Sequence, residues 1–119
     1  MTDVITLLAA GTGASVTGAT HDTGDLKNGA VIQVVAAGSA AAWTVELDGS
    51  LDGTNWVQLP LVPITAGVLG SAGATVGAST LGVFAAAMQA GAGMWRYFRA
   101  KSGANTTVTV SALLGFSDF

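Results

Sequence analysis

From residue 53 to residue 95 the chain carries no charged side chain, an interval of 43 residues bounded by Asp52 and Arg96. Soluble domains are about one quarter charged, so such a stretch either crosses a membrane or is covered by protein. A spanning helix needs about 20 consecutive, mostly apolar residues. Here Pro60, Pro63, Gly67, Gly70, Gly73, Gly77 and Gly82 interrupt every such window. Proline removes a backbone donor and glycine raises the entropic cost of a helix. The interval therefore argues against a transmembrane helix, and no membrane partner is expected. It is expected instead to form strands and small-residue loops, buried in the domain or facing an assembly neighbour. Over the whole chain only 9% of residues are charged while 50% are hydrophobic. That content argues against disorder and leaves few charges to solvate the surface of a monomer.

The length, 119 residues, suits one domain, residues 1–119, with its own core. Residues 1–20 are read as an extended N-terminal arm or an edge strand. A formal net charge of −3 supplies no broad basic surface for neutralising phosphates, so no direct nucleic-acid partner is expected. The absence of cysteine removes disulfides, thiolate zinc sites and cysteine nucleophiles. Residues 1–6, Met-Thr-Asp-Val-Ile-Thr, lack the positive start of a signal peptide, so synthesis in the cytosol is expected.

Alternation is strictest at residues 43–47, where Trp43, Val45 and Leu47 share one side and Thr44, Glu46 and Asp48 the other, as a half-buried strand requires. Residues 49–55, with Asp52-Gly53 the strongest turn pair, lead into Trp56-Val57-Gln58-Leu59, and Pro60 ends the strand. This is a predicted β-hairpin. A second hairpin is predicted from residues 94–100 and 106–114, with Lys101-Ser102-Gly103-Ala104-Asn105 as its turn. Val31-Ile32-Gln33-Val34-Val35 reads as a central strand. Residues 4–9 and 14–18 are weaker candidates, and residues 81–89 read as a strand in preference to a two-turn helix capped by Thr80. Residues 65–79 are of low complexity. Six to eight short strands with no long helical period predict an all-β fold, a single antiparallel β-sandwich or jelly-roll-like domain with Gly-rich loops.

The search for chemistry finds no complete catalytic or metal constellation. Asp48, Ser50 and Asp52 match the first half of a calcium loop, but its twelfth position, which should be a bidentate carboxylate, is Leu59. No metal is expected there. His21, the single histidine, lies near Asp22 and Asp25 and reads as a polar surface loop, because a triad or catalytic zinc needs further partners. Glu46 and Asp48 share a strand face and read as a solvated pair; a glycosidase needs two opposed carboxylates in a cleft. Gly11-Thr12-Gly13 reads as a turn, and Asn105-Thr106-Thr107 fits an acceptor for glycosylation without a secretory context. Arg96, Arg99 and Lys101, interleaved with Trp95, Tyr97 and Phe98, form a basic and aromatic cluster better suited to a protein interface than to single-stranded bases. No enzyme, no catalytic residue and no cofactor are expected.

The run from Trp43 through Gly49-Ser-Leu-Asp-Gly-Thr-Asn-Trp56 to Leu59, followed by Arg96-Tyr-Phe-Arg-Ala100 and Thr107-Val-Thr-Val-Ser111, resembles small β-sandwich virion proteins of tailed bacteriophages. The resemblance covers residues 43–114; the Gly-rich residues 65–93 depart from it most. It implies a non-enzymatic head decoration, or cement, protein of the capsid surface, a homotrimer whose partner is the major capsid protein. Trp95, Tyr97, Arg99, Thr2, Asp3 and Val4 are the expected contact residues, with residues 2–6 pairing to a neighbouring sheet edge. Similar hairpins occur in carbohydrate-binding sandwiches, so the alternative is a tail or baseplate glycan-binding module with Asp52, Asn55 and Trp56 at the sugar.

Overall fold

The computed structural model describes residues 2–11, 16–27, 29–39, 41–65, 68–69, 73, 75–78, 80–89, 91, 93–104 and 108–117; positions 2–11, 16, 65, 68–69, 76, 104 and 116–117 are described by backbone alone. Every regular element among them is a strand: β1 (Thr2–Gly11), β2 (Val16–Thr17), β3 (His21–Lys27), β4 (Ala30–Gly38), β5 (Trp43–Ser50), β6 (Val57–Leu59), β7 (Leu61–Thr65), β8 (Val68–Leu69), β9 (Val76–Ala78), β10 (Gly82–Met88), β11 (Trp95–Ala104) and β12 (Val108–Ser117). No helix is long and apolar enough to cross a membrane. The segments outnumber the six to eight predicted because β2, β8 and β9 are only two or three residues long.

All pairings are antiparallel and form two sheets, as the all-β prediction requires. The first runs β1-β12-β4-β10-β7-β8; the second runs β2-β11-β5-β6, with β3 also on β11 and β9 also on β5. Ile32, Val34 and Ala36 of β4 alternate inward, as do Val108, Val110, Ala112 and Leu114 of β12. They meet Trp43, Val45 and Leu47 of β5 and Phe98 and Ala100 of β11 across the sandwich, all at most 3% exposed. Trp43 spans the layers: its ring meets Phe84 of β10 edge-on at 4.9 Å, and its indole N–H donates to the Thr80 carbonyl at 2.8 Å.

The first predicted hairpin forms, with Leu47 opposite Leu59, Asp48 opposite Gln58 and Gly49 opposite Val57. The second does not. β11 pairs with β5 in one sheet and β12 with β4 in the other, and the residues read as its turn, Lys101 to Ala104, continue β11. Alternation marks the two faces of a strand but not its lateral partner; here the two apolar faces meet across the core. His21 and its neighbours, read as a surface loop, instead form the edge strand β3, with His21 opposite Phe98 and Asp22 opposite Tyr97. β1 is the edge strand of the first sheet, β4 is central in it, and residues 81–89 supply β10, as read. Asn105-Thr106-Thr107 and positions 12–13 of the predicted glycine turn lie outside the described residues.

Charge divides between the sheets. In the first sheet only the edge strand β1 carries a charge, Asp3, and β4, β7, β8, β10 and β12 contain none, whereas β3, β5 and β11 carry Asp22, Asp25, Lys27, Glu46, Asp48, Arg96, Arg99 and Lys101. The uncharged interval does not map onto one face, because its strands β6 and β9 join the charged sheet. The first sheet draws β1, β4 and β12 from outside that interval.

Candidate functional site

The outer face of the charged sheet is built by the antiparallel register of β5 and β11, which sets Ser50 opposite Tyr97, Asp48 opposite Arg99 and Glu46 opposite Lys101. Because strand side chains alternate, these six share one face, with acids set against bases. Arg99 Nε donates to Asp48 Oδ2 at 3.1 Å, Lys101 Nζ stands 4.0 Å from the same oxygen, and the Arg99 guanidinium lies 4.3 Å over the Trp56 ring. The Asp48 side chain is left only 4% exposed. The solvated-pair reading of Glu46 and Asp48 therefore fails at Asp48, which its cationic neighbours and the folded-over hairpin cover.

Glu46 hydrogen-bonds to Asp48, and this bond, partial burial and the nearby negative charge together push its carboxyl up to about 7, against the pull of Lys101 and Arg99. The folded chain thus holds this proton more tightly than the unfolded one. The resulting stabilisation is complete below the ordinary glutamate range and is lost as pH rises through about 7. At the acid end the sign reverses. The Arg96 guanidinium holds Asp22 at about 2, and Asn55 and Thr54 amides hold Asp52 well below the usual carboxylate range, so what these two contribute is lost as pH falls toward those values. The melting temperature is expected to peak near pH 5 and to fall toward pH 8 by the equivalent of roughly 2 kcal/mol. Melts of Glu46→Gln across the same range should show that alkaline decline flattened; an unchanged decline would refute the assignment.

The hairpin tip is self-contained. Ser50 Oγ accepts the Asp52 and Gly53 amides at 3.2 and 2.9 Å and donates to Asp52 Oδ1 at 2.9 Å. The same Oδ1 accepts the Thr54 and Asn55 amides, and Oδ2 accepts Asn55 Nδ2, all at 2.8 Å. Gly53 takes a φ of 76°, which favours glycine, and Tyr97 lies against it. Asp48 faces Arg99 while Ser50 and Asp52 serve the turn, so the three calcium candidates do not converge. Among the described residues no group of three or more His, Cys, Asp or Glu could hold a metal. Of the three glycan candidates, Asp52 and Asn55 are bonded to each other and Trp56 stacks on Arg99.

The expected contact residues separate. A register shift between Trp95 and Tyr97 has the form of a β-bulge and turns Trp95 toward the core, where a Cβ on Gly49 would lie 2.8 Å from its ring. Tyr97 and Arg99 remain on the outer face. Arg96, beside the shift, holds Asp22 through two bonds of 2.8 and 2.9 Å and lies 5.3 Å from the Tyr97 ring. Thr2, Asp3 and Val4 pair with Ser117, Phe116 and Gly115 of the same chain. The Asp22–Arg96 and Asp48–Arg99 pairs were not read from the sequence. Only the second had a signal there, opposite charges in matching phase on two alternating strands.

No protein-family model and no curated protein matches the chain. Among solved structures, the crystal structure of the SPBc2 prophage-derived protein YomS aligns over 98% of this chain and 92% of that one, with a TM-score of 0.60 at 15% identity. The crystal structure of PirA aligns over 98% and 93%, with a TM-score of 0.44 at 8% identity. CsCBM6-3 from Clostridium stercorarium in complex with cellobiose aligns over 98% and 74%, with a TM-score of 0.32 at 18% identity. The likeness to YomS is one of fold, the antiparallel sandwich described above.

Proposed function

We propose that this protein is a non-enzymatic structural component of a tailed-bacteriophage virion, and within that class a capsid decoration protein that binds the major capsid lattice from outside. The observation that carries the reading is the sandwich shared over nearly the full length of both chains with a prophage-derived protein, on a sequence whose hairpin and strand motifs resemble phage virion proteins. The non-enzymatic part draws on the polar groups of the charged sheet. Asp48 is committed to Arg99, Asp22 to Arg96 and Asp52 to its own turn, a use of carboxylates that supports a scaffold role.

In mechanism such a protein works by mass action. It binds the assembled, expanded lattice and not the free subunits, and so shifts the equilibrium toward the shell. Purified protein added to emptied, expanded capsids is expected to bind with a fixed, saturable stoichiometry and to raise the capsid melting temperature. Absence of any capsid association would overturn the reading. A signal on a glycan array that Trp56→Ala abolishes would replace it with the sugar-binding alternative.

A further inference from the structure

The outer face that β12, β4 and β10 give the first sheet carries no charge and exposes large apolar side chains. In register across its central strands, Val83 of β10 lies opposite Val35 of β4, Ala85 opposite Gln33, and Gln33 opposite Leu113 of β12. Val83 is 63% exposed, Val31 46%, Val35 40% and Leu113 38%. Four large apolar side chains on three adjacent central strands make a contiguous patch, and monomeric proteins rarely expose one of more than a few hundred Å². No residue of these strands is charged, in contrast to the opposite face of the sandwich.

We infer that this face is the interface with a second copy of the same chain, packed sheet to sheet about a two-fold axis. Three observations select that occupant. A face without charge offers a charged partner nothing to steer to, while against its own copy it meets no like-charge repulsion and buries no ion. The polar residue near its centre, Gln33, is an amide that both donates and accepts, so it is complementary to itself. The size also suffices. The 10, 9, 7 and 5 residues of β12, β4, β10 and β7, at ~3.4 Å per residue and about 4.8 Å between strands, give a footprint of roughly 500 Å² per copy. Two copies then bury about 1,000 Å² or more, the lower bound for a specific interface, and apolar composition is what homodimer interfaces show.

One patch used by both partners closes a two-fold, because residue i of one copy meets residue j of the other and the reverse. A trimer needs two different patches on each copy, so the geometry points to a dimer and not to the three-fold assembly the family resemblance implies. The inference stands apart from the virion reading, since the dimer forms in solution whether or not capsids are present.

Sedimentation velocity of the purified chain across the micromolar range is the test. The wild type is expected to sediment as a dimer. Val35→Lys and Leu113→Glu, which place two like charges in the contact, should each raise the dissociation constant on the order of 100-fold or more while keeping cooperative melts and the wild-type circular dichroism. Val57→Lys, an equally exposed site on the charged sheet, should remain dimeric. A monomeric or trimeric wild type, or folded Val35→Lys and Leu113→Glu variants that stay dimeric, would overturn the proposal. So would a monomeric wild type whose capsid binding is lost in Val35→Lys, which would give the face to the capsid protein instead.

Discussion

Trp43→Ala is expected to lower the unfolding free energy by about 4 kcal/mol, near the upper end for truncating a large aromatic in a core. Small domains are stable by only about 5–15 kcal/mol, so this single change removes a third or more of the margin. Trp43 is 1% exposed and joins two sheets whose described strands pair only within their own sheet. In its own sheet it pairs with Ala104 of β11 and Ala78 of β9, and the small Ala78 side chain cannot fill the space. Across the sandwich it loses the edge contact with Phe84, and the Thr80 carbonyl loses its donor. The melting temperature should drop by roughly 15 °C for a chain of this size. Trp43→Phe keeps an aromatic edge against Phe84 and loses mainly the hydrogen bond and some volume, so it should cost about 1.5 kcal/mol. A loss below about 1 kcal/mol for the alanine variant would show that the sheets are held together elsewhere.

The fold was legible wherever its determinants are local. The hairpin of β5 and β6 follows from strict alternation plus an Asp-Gly turn pair, both contained within residues 43–59, although the observed register, with Gly49 opposite Val57, centres on Gly53 and not between Asp52 and Gly53. β11 and β12 were also recognisable as strands. Their assignment to opposite sheets was not, because β11's partner β5 lies some fifty residues away and nothing in its alternation names that partner. β3 escaped for a different reason. Its sequence, His-Asp-Thr-Gly-Asp-Leu-Lys, has the polarity of a loop, yet at the sheet edge Arg96 binds Asp22, and Thr23 Oγ1 donates to the Arg96 carbonyl at 2.7 Å. Lys27 is buried beside Asp25 at 2.8 Å. Tertiary pairing there overrides a poor intrinsic strand preference. The low charge content was placed by sequence interval, whereas the structure distributes it by strand, with β3, β5 and β11 carrying most of the charge.

Arg99→Ala is expected to cost about 3 kcal/mol, more than Asp48→Ala, although the two residues form one ion pair. Breaking a buried pair is expensive because of the charge that is left behind, so the comparison turns on which partner can reach water. The Arg99 side chain is 22% exposed and stacks on Trp56, so without Asp48 it can solvate its guanidinium; Asp48→Ala should cost about 2 kcal/mol. Asp48 is 4% exposed, and without Arg99 its nearest described cation is Lys101 at 4.0 Å, beside the hydrogen bond with Glu46. The double variant should therefore be more stable than the summed single losses imply, by about 1–2 kcal/mol, as expected for directly coupled residues. The measurement is a urea unfolding cycle at pH 7 on the isolated protein. It also separates two roles for Arg99, which the sequence placed at a partner contact. If Arg99 served only a partner, Arg99→Ala would unfold with the wild type and lose capsid binding alone. A loss of about 3 kcal/mol in the isolated chain instead makes the residue part of the scaffold that holds Trp56 and the hairpin rigid. Any contribution to binding then comes through the surface Arg99 keeps in place.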